Sequence, residues 1–442
     1  MSTHRNVLFI APSAYPLGGV AVWLNSLVPM LKPFGWNATV ALVAGQMHDV
    51  ARYRAAYPAL PTVEIQNATG SHEGRIRALV RLLDERCPDV VVPVNIVDTY
   101  AAVRRVRKRG QFVKVIAALH GLAADLLADI AREREGLDGV IATNRLASFL
   151  CVQLGAMSAD RALYAPCGVD VHALGNLAKT PRGGPLRIVW VGRLEQGQKR
   201  IGDVVKILSA LDLLGVDYRL TLAGDGPERD AFLQSVSPWL SNAKAEYIGA
   251  LPVGDMGARI YAKADVLCVT SAWETGPITA WEAMAAGVVV VSSRYVGART
   301  EQALRNNENC LLFAVGDCRA AAAQIAMLEF DADLRDRLVL GGVSLVNSRY
   351  TLERSALAWG ERLDAITRLP SLPAASQVTR PHRSGRLDGL FGTTLAETIR
   401  AAIGFKYQHT DAGGEWPHTA SNAVNECEFL QRIGKLEQET AL

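Results

Sequence analysis

VWVGRLEQGQKRIGDVVKIL, residues 189–208, passes from an apolar, β-branched run into an amphipathic segment through a loop rich in glycine and cations. The run ends at Gly192 and the helical pattern begins near Gly202. This is the strand–loop–helix unit of a parallel sheet covered by helices. Arg193 and Lys199 occupy the connecting loop, at the carboxyl end of the strand, where open α/β sheets bind ligands. An arginine supplies a bidentate fork and a lysine a mobile point charge, which together suit a diphosphate. Two solvated loop cations would satisfy the same pattern.

The alternation extends in both directions. Upstream, NVLFIAP (6–12), ATVALVA (38–44), DVVVPV (89–94), KVIAALH (114–120) and GVIATN (139–144) read as strands separated by helical patterns. Downstream come YRLTLAG (218–224), AEYIGAL (245–251), DVLCVTSA (265–272), VVVVSS (288–293) and NCLLFA (309–314). Apolar runs without polar alternation belong to strands buried on both faces, hence to parallel sheets. The expected fold is α/β, with two tandem Rossmann-like, doubly wound parallel-sheet domains facing a cleft and a C-terminal tail. The expected boundaries are an N-terminal domain at 1–171, a Gly/Pro-broken linker at 172–185, and a second domain at 186–350. A helix at 351–368 would pack back toward the first domain, and a Pro/Ser/basic linker opens a flexible appended tail at 369–442, weakly helical at 393–405.

Composition narrows the function. In 442 residues, 47 Lys and Arg balance 44 Asp and Glu for a formal charge of +3, which gives no support to nucleic acid as a partner. Seven scattered cysteines lack C-x-x-C pairs, so neither a disulfide framework nor a zinc site is expected. The N-terminal apolar run is too short for a signal sequence, and no uncharged apolar stretch is long enough to span a membrane. A cytoplasmic location follows as an expectation, with peripheral attachment to the inner face of the plasma membrane as its extension. The attachment would use VRRVRKRGQFVK (103–114), where Arg104, Arg105, Arg107, Lys108 and Arg109 could meet anionic lipid. The same cations could simply complement a helix C-terminus on a wet face.

SAWETGPITAWEAMAAG (271–287) keeps two carboxylates, Glu274 and Glu282, among small and apolar residues. Pro277 suits the first turn of a helix. Glu274 then precedes that helix and Glu282 projects from it, with the N–H groups expected at 277–279 between them as an anion site. Carboxylate, anion site, carboxylate matches the sugar, diphosphate and ribose of a nucleotide sugar, because carboxylates accept vicinal hydroxyls. Asp331-Ala-Asp333 reads as a helix N-cap rather than a metal motif, and no metal ligand is expected. GDGPER (224–229) is a degraded dinucleotide fingerprint and keeps an NAD(P)-dependent oxidoreductase as one alternative. A nucleotide-sugar epimerase on the same fold is another.

PCGVD (166–170), VGRLEQGQK (191–199), AGDGPER (223–229), YIGAL (247–251) and E-x7-E closing on EAMAAG (274–287) occur in this order. Together they resemble the nucleotide-sugar domain of retaining family 4 glycosyltransferases, of the GT-B fold. The resemblance covers about 4–366 and is dense from 164 to 317. It implies that Arg193 and Lys199 bind the diphosphate, that Glu274 holds donor-sugar hydroxyls, and that Glu282 holds the ribose. Gly276, Pro277, Ile278 and Thr279 would border the distal phosphate, and Gly18 and Gly19 would let backbone approach the phosphates. His120 would sit near the reacting carbon, while Gly224, Gly226 and Ile248 would border the base. The implied reaction is retaining, metal-independent transfer of a hexosyl group from a UDP- or GDP-sugar co-substrate, with no further cofactor. The acceptor would be the hydroxyl of a glycan or lipid-linked molecule, in polysaccharide or glycolipid biosynthesis. Gly276 and Pro277 depart from the family pattern, which usually has a bulky residue and then glycine there.

Overall fold

The computed structural model describes residues 5–13, 19–44, 49–372, 385–407 and 426–439. The chain forms two compact units, one from 1–165 with 356–429 and the other from 166–355 with 430–442. Each is built on one wholly parallel sheet.

The first sheet contains β1 (Arg5–Pro12), β2 (Trp36–Val43), β3 (Thr62–Ile65), β4 (Val90–Pro93), β5 (Lys114–Leu119), β6 (Gly139–Ala142) and β7 (Ala162–Tyr164), in the order β3-β2-β1-β4-β5-β6-β7. The second contains β8 (Leu186–Val191), β9 (Tyr218–Ala223), β10 (Ala245–Gly249), β11 (Val266–Val269), β12 (Val289–Ser293) and β13 (Leu311–Phe313), in the order β10-β9-β8-β11-β12-β13. In both, the order reverses beside the first strand, between β1 and β4 and between β8 and β11, giving each sheet a topological switch point. β3 and β7 were not expected from the sequence. They are the short edge strands of the first sheet, too brief to carry a long apolar run.

In the second unit, Trp190, Leu220 and Val236 pack on one side of the sheet, and Leu267, Trp281 and Met284 on the other. Trp281 stacks on Tyr350 with ring centroids 4.3 Å apart. The first unit buries Trp23 and Trp359 with centroids 5.0 Å apart, both against Phe9.

Two boundaries differ from expectation. The second unit begins at Pro166, and the stretch read as a free linker contains the helix Val171–Gly175. Leu174 and Leu177 lie on the second unit's core, and Thr180 N–H donates to Ala262 O (2.9 Å). Apolar side chains inside a Gly/Pro-broken stretch were enough to dock it. From Ala356 the helix Leu352–Arg368 belongs to the first unit, where Trp359, Leu363 and Ile366 are buried.

The region read as a flexible tail holds two helices, Arg386–Ile403 and Glu426–Glu439. The first is fixed to the first unit by Glu397, which accepts from Thr69 Oγ1 (2.7 Å) and from Ser71 Oγ. The second is fixed to the second unit by Glu437. Its carboxylate takes Gly297 N–H (2.9 Å), Thr300 N–H (2.8 Å) and Thr300 Oγ1 (2.9 Å). Polar docking of this kind leaves no apolar signature in the sequence.

Candidate functional site

The loops after β8 and β11 meet at the switch point of the second sheet. Ala272 N–H donates to Gln198 O (2.8 Å) and Thr270 Oγ1 to Lys199 O (2.6 Å). Trp190 Nε1, from β8, holds Thr270 Oγ1 at 3.0 Å. The loop that carries Lys199 is thereby stitched to the loop that carries Glu274.

Glu274 is buried, and its Oε1 accepts from Lys199 Nζ (2.6 Å) and Ser271 Oγ (2.6 Å). Gln198 Nε2 lies 3.4 Å from the other oxygen, a weak contact that leaves Oε2 with acceptor capacity. Ser271 and Gln198 were not singled out in the sequence; their signal was only their position in the same two loops. Arg193 is exposed and sits 3.4 Å from Glu195 Oε1, outside this hydrogen-bonded group.

The helix Ile278–Ala285 begins just beyond Glu274, with Pro277 as its N-cap rather than its first residue. Pro277 has no N–H, so the expected donor set at 277–279 reduces to Ile278 and Thr279. Ala280 N–H is taken by Pro277 O at 2.8 Å. Among the described residues, Ile278 and Thr279 N–H have no backbone acceptor. Gly276 adopts φ +111°, a conformation that a bulky residue would strain. The departure from the family pattern thus has a backbone of its own.

Glu282, one helical turn further on, is part-buried and accepts from the buried Tyr261 Oη at 2.8 Å. Burial pushes its carboxyl up to about 7, against a smaller opposing effect from the tyrosine hydrogen bond. Tyr261, missed in the sequence, is in turn held well above the ordinary phenol range by burial and by Glu282.

Gly224 and Gly226 lie where the β9 loop crosses the β8 loop. A Cβ on Gly224, at φ +139°, would stand 1.8 Å from Gly192 O, and one on Gly226 would stand 2.5 Å from Leu194 O. Leu194 N–H donates to Asp225 O (3.0 Å) and Gly224 N–H to Gly249 O (2.9 Å). These glycines permit contact between protein loops, which accounts for GDGPER without a dinucleotide pyrophosphate. Ile248 falls at a register irregularity of β10, between Tyr247 and Gly249, and Tyr247 Oη donates to Gly224 O (2.9 Å).

In the first unit, Gly18 lies outside the described residues. Gly19 opens the helix Gly19–Met30 and is exposed. His120 follows β5, and its ring centroid is 4.0 Å from that of Trp23, from the same Gly19 helix. Burial lowers its pKa to about 3, so the imidazole is neutral at physiological pH.

Three of the four arginines at 104–109 are drawn onto buried carboxylates. Arg104 pairs with Glu133, Arg105 with Glu73 (2.6 Å), Arg107 with Asp138, and Arg109 with Asp84 (3.0 Å). Arg104 and Val106 are buried, and Arg107 also donates to Val113 O and Gly136 O. Arg104, Arg105 and Arg107 thus serve buried carboxylates and carbonyls, whereas Lys108 and Arg109 are exposed. Asp331 caps the helix Ala332–Arg349 by accepting from Leu334 N–H (2.8 Å). Among the described residues no cluster of three or more metal-ligating side chains occurs, and no helix is long and apolar enough to cross a membrane.

Residues 185–330 match the family model for glycosyl transferases group 1. Over 158 residues the chain is 28% identical to a glycogen synthase of Mycobacterium tuberculosis, covering 36% of this chain and 37% of that protein. Over 136 residues it is 30% identical to the N-acetyl-alpha-D-glucosaminyl L-malate synthase of Bacillus anthracis, covering 31% of this chain and 34% of the relative. The matches thus span little more than a third of each relative's length. Among solved structures, Anabaena HepE in complex with UDP and glucose superposes with TM-score 0.67 at 17% identity, covering 82% of this chain and all of that one. The sucrose-phosphate synthase of Thermosynechococcus elongatus superposes with TM-score 0.66 at 17% identity, covering 81% and 98%. With two parallel Rossmann-like sheets and these motifs at the second switch point, the chain has the GT-B fold, and the likeness of its residues 185–330 is to the glycosyl transferases group 1 model.

Proposed function

We propose that this chain is a retaining glycosyltransferase that moves a sugar from a nucleoside-diphosphate donor to an acceptor hydroxyl. The observation that carries the reading is the Lys199–Glu274 pair at the β8/β11 switch point, beside the amides of Ile278 and Thr279, which have no backbone acceptor among the described residues. Cation, carboxylate and amide donors are preorganised there for a ligand that is part anion and part polyol.

In this reading Glu274 is the catalytic-site carboxylate for sugar hydroxyls, and its less engaged Oε2 is the free acceptor. Arg193 and Lys199 take the diphosphate, with Ile278 and Thr279 N–H on the distal phosphate. Gly276 and Pro277 shape that turn and donate nothing to it. Glu282 accepts the ribose hydroxyls, and Gly224, Gly226 and Ile248 border the base. In the first unit, Gly19 lies at a helix start suited to phosphate and the neutral His120 can hydrogen-bond substrate without adding charge.

With Glu274 occupied by Lys199 and Ser271, no separate carboxylate is assigned as a covalent nucleophile. Transfer then proceeds on one face of the sugar, with the departing phosphate accepting the acceptor's proton. Catalysis rests on positioning and on electrostatic stabilisation of the leaving diphosphate, a scheme that requires no metal or additional cofactor.

UDP is the favoured nucleotide, because HepE is described with UDP and glucose, and pneumococcal GtfA with UDP and GlcNAc at TM-score 0.67 and 10% identity. The acceptor is a glycan or lipid-linked hydroxyl, and the setting is polysaccharide or glycolipid assembly in the cytoplasm. A thermal-shift series with UDP, GDP and ADP tests the reading, since ligand bound only by the native state raises the melting temperature by mass action. UDP should raise it and ADP should not. Indifference to all three would refute the proposal.

A further inference from the structure

The helix Arg386–Ile403 is amphipathic in the inverse of the usual sense. Its polar side faces the protein, where Asp388, Glu397 and Arg400 are all buried and Arg400 pairs with Asp388. Arg77 anchors it from below, Nη2 donating to Thr394 O (2.7 Å) and Nη1 to Thr398 Oγ1 (3.3 Å). Its apolar side faces outward: Leu390 is 75% exposed, Phe391 50%, Leu395 52%, Ile403 66%, and Phe405 just beyond 50%. Leu395, Ile399 and Ile403 recur every fourth residue on one stripe. Gly392 breaks the helix (φ 74°), so Leu390 and Phe391 sit on a separate short turn.

We propose that this outward face docks on an anionic lipid surface. Between Gly385 and Tyr407 both carboxylates are turned inward, whereas Arg386 and Lys406 are exposed. An apolar stripe flanked by cations and free of acids is complementary to negatively charged headgroups over an acyl boundary. A second copy of the chain fits less well. The helical run beyond Gly392, residues 393–403, spans about 16 Å, and a stripe ~10 Å wide covers roughly 160 Å². A stable protein interface needs about 800 Å² from each partner. A bilayer needs only the stripe. The proposal goes beyond the transferase reading and stands without it, because neither Arg193, Lys199, Glu274 nor Glu282 takes part.

Flotation of the full chain with vesicles tests it. The protein should rise with mixed phosphatidylglycerol–phosphatidylcholine vesicles, release at high salt, and stay behind with pure phosphatidylcholine. The double variant Phe391→Asp, Leu395→Asp should lose binding by about tenfold or more while melting at the wild-type temperature, since both positions are exposed. Leu395→Trp should give an emission that shifts to the blue with the anionic vesicles only. Lys108→Glu should bind as the wild type does. Absence of flotation with anionic vesicles would overturn the proposal, as would undiminished binding by the double variant. So would sedimentation showing a dimer, without vesicle binding, that the double variant abolishes.

Discussion

Lys199 and Glu274 satisfy each other in a site that must also accept a ligand, and this sets the cost of changing either. Lys199→Ala should cut turnover about 10²–10³-fold, as loss of one stabilising donor does elsewhere. It also leaves a buried carboxylate short of a partner, at about 1–3 kcal/mol of stability. Adding Glu274→Gln should restore the melting temperature without restoring turnover, which a double-mutant cycle can resolve. Glu282 makes a pH prediction. Its folded-state carboxyl is raised from 4.5 to about 7, so its stabilising contribution is complete below about pH 4.5 and is lost as pH rises through about 7. Glu282→Gln should therefore match the wild type in denaturant unfolding at pH 4.5 and exceed it by ~1–2 kcal/mol at pH 8, after allowance for partial exposure. Lys199 and Glu274, which the structure brings into contact, stood out in the sequence because charge in a glycine-rich or small-residue loop is conspicuous. Tyr261 and Ser271 were not, because a buried phenol or hydroxyl looks like any other core or loop residue until its partner is known.

At the scale of elements, long buried strands announced themselves and short polar ones did not. NVLFIAP and VVVVSS each carry a continuous apolar run, whereas β3 (TVEI) is part-polar and β7 has three residues. The docking of the C-terminal helices escaped for a different reason: much of it is carboxylates on backbone amides and hydroxyls, and composition does not distinguish those from solvated charges. Glu437 is the plainest instance. The loop it caps also touches the candidate site, since Glu274 N–H donates to Val296 O (3.3 Å) and Val296 N–H to Ala272 O (2.9 Å). Glu437→Ala would leave Gly297 N–H, Thr300 N–H and Thr300 Oγ1 without their acceptor, at about 1–3 kcal/mol locally. Faster hydrogen exchange at residues 297–300, with Glu437→Gln intermediate, is the expected result. Unchanged protection in the alanine variant would show that the helix Glu426–Glu439 contributes nothing to that loop.

For the molecule as a whole, the two C-terminal helices are structural, one in each unit. Deleting residues 373–442 removes Glu397 from Thr69 and Ser71 and Glu437 from its amides. The shortened chain should melt several degrees lower by calorimetry, where loss of an inert extension would change nothing. The interleaved path of the chain has a consequence for biosynthesis. Trp359 packs against Phe9 and Trp23, Trp36 Nε1 donates to Asp364 Oδ1 (3.0 Å), and Lys114 Nζ reaches Ile366 O (3.2 Å). As the polypeptide leaves the ribosome, the half made first must wait with an open core until these late residues emerge, by which time the sheet made second is already complete. The second sheet can therefore form before the first unit closes, and a chain truncated ahead of residue 356 would carry that sheet, without its Glu437 cap, joined to an aggregation-prone neighbour.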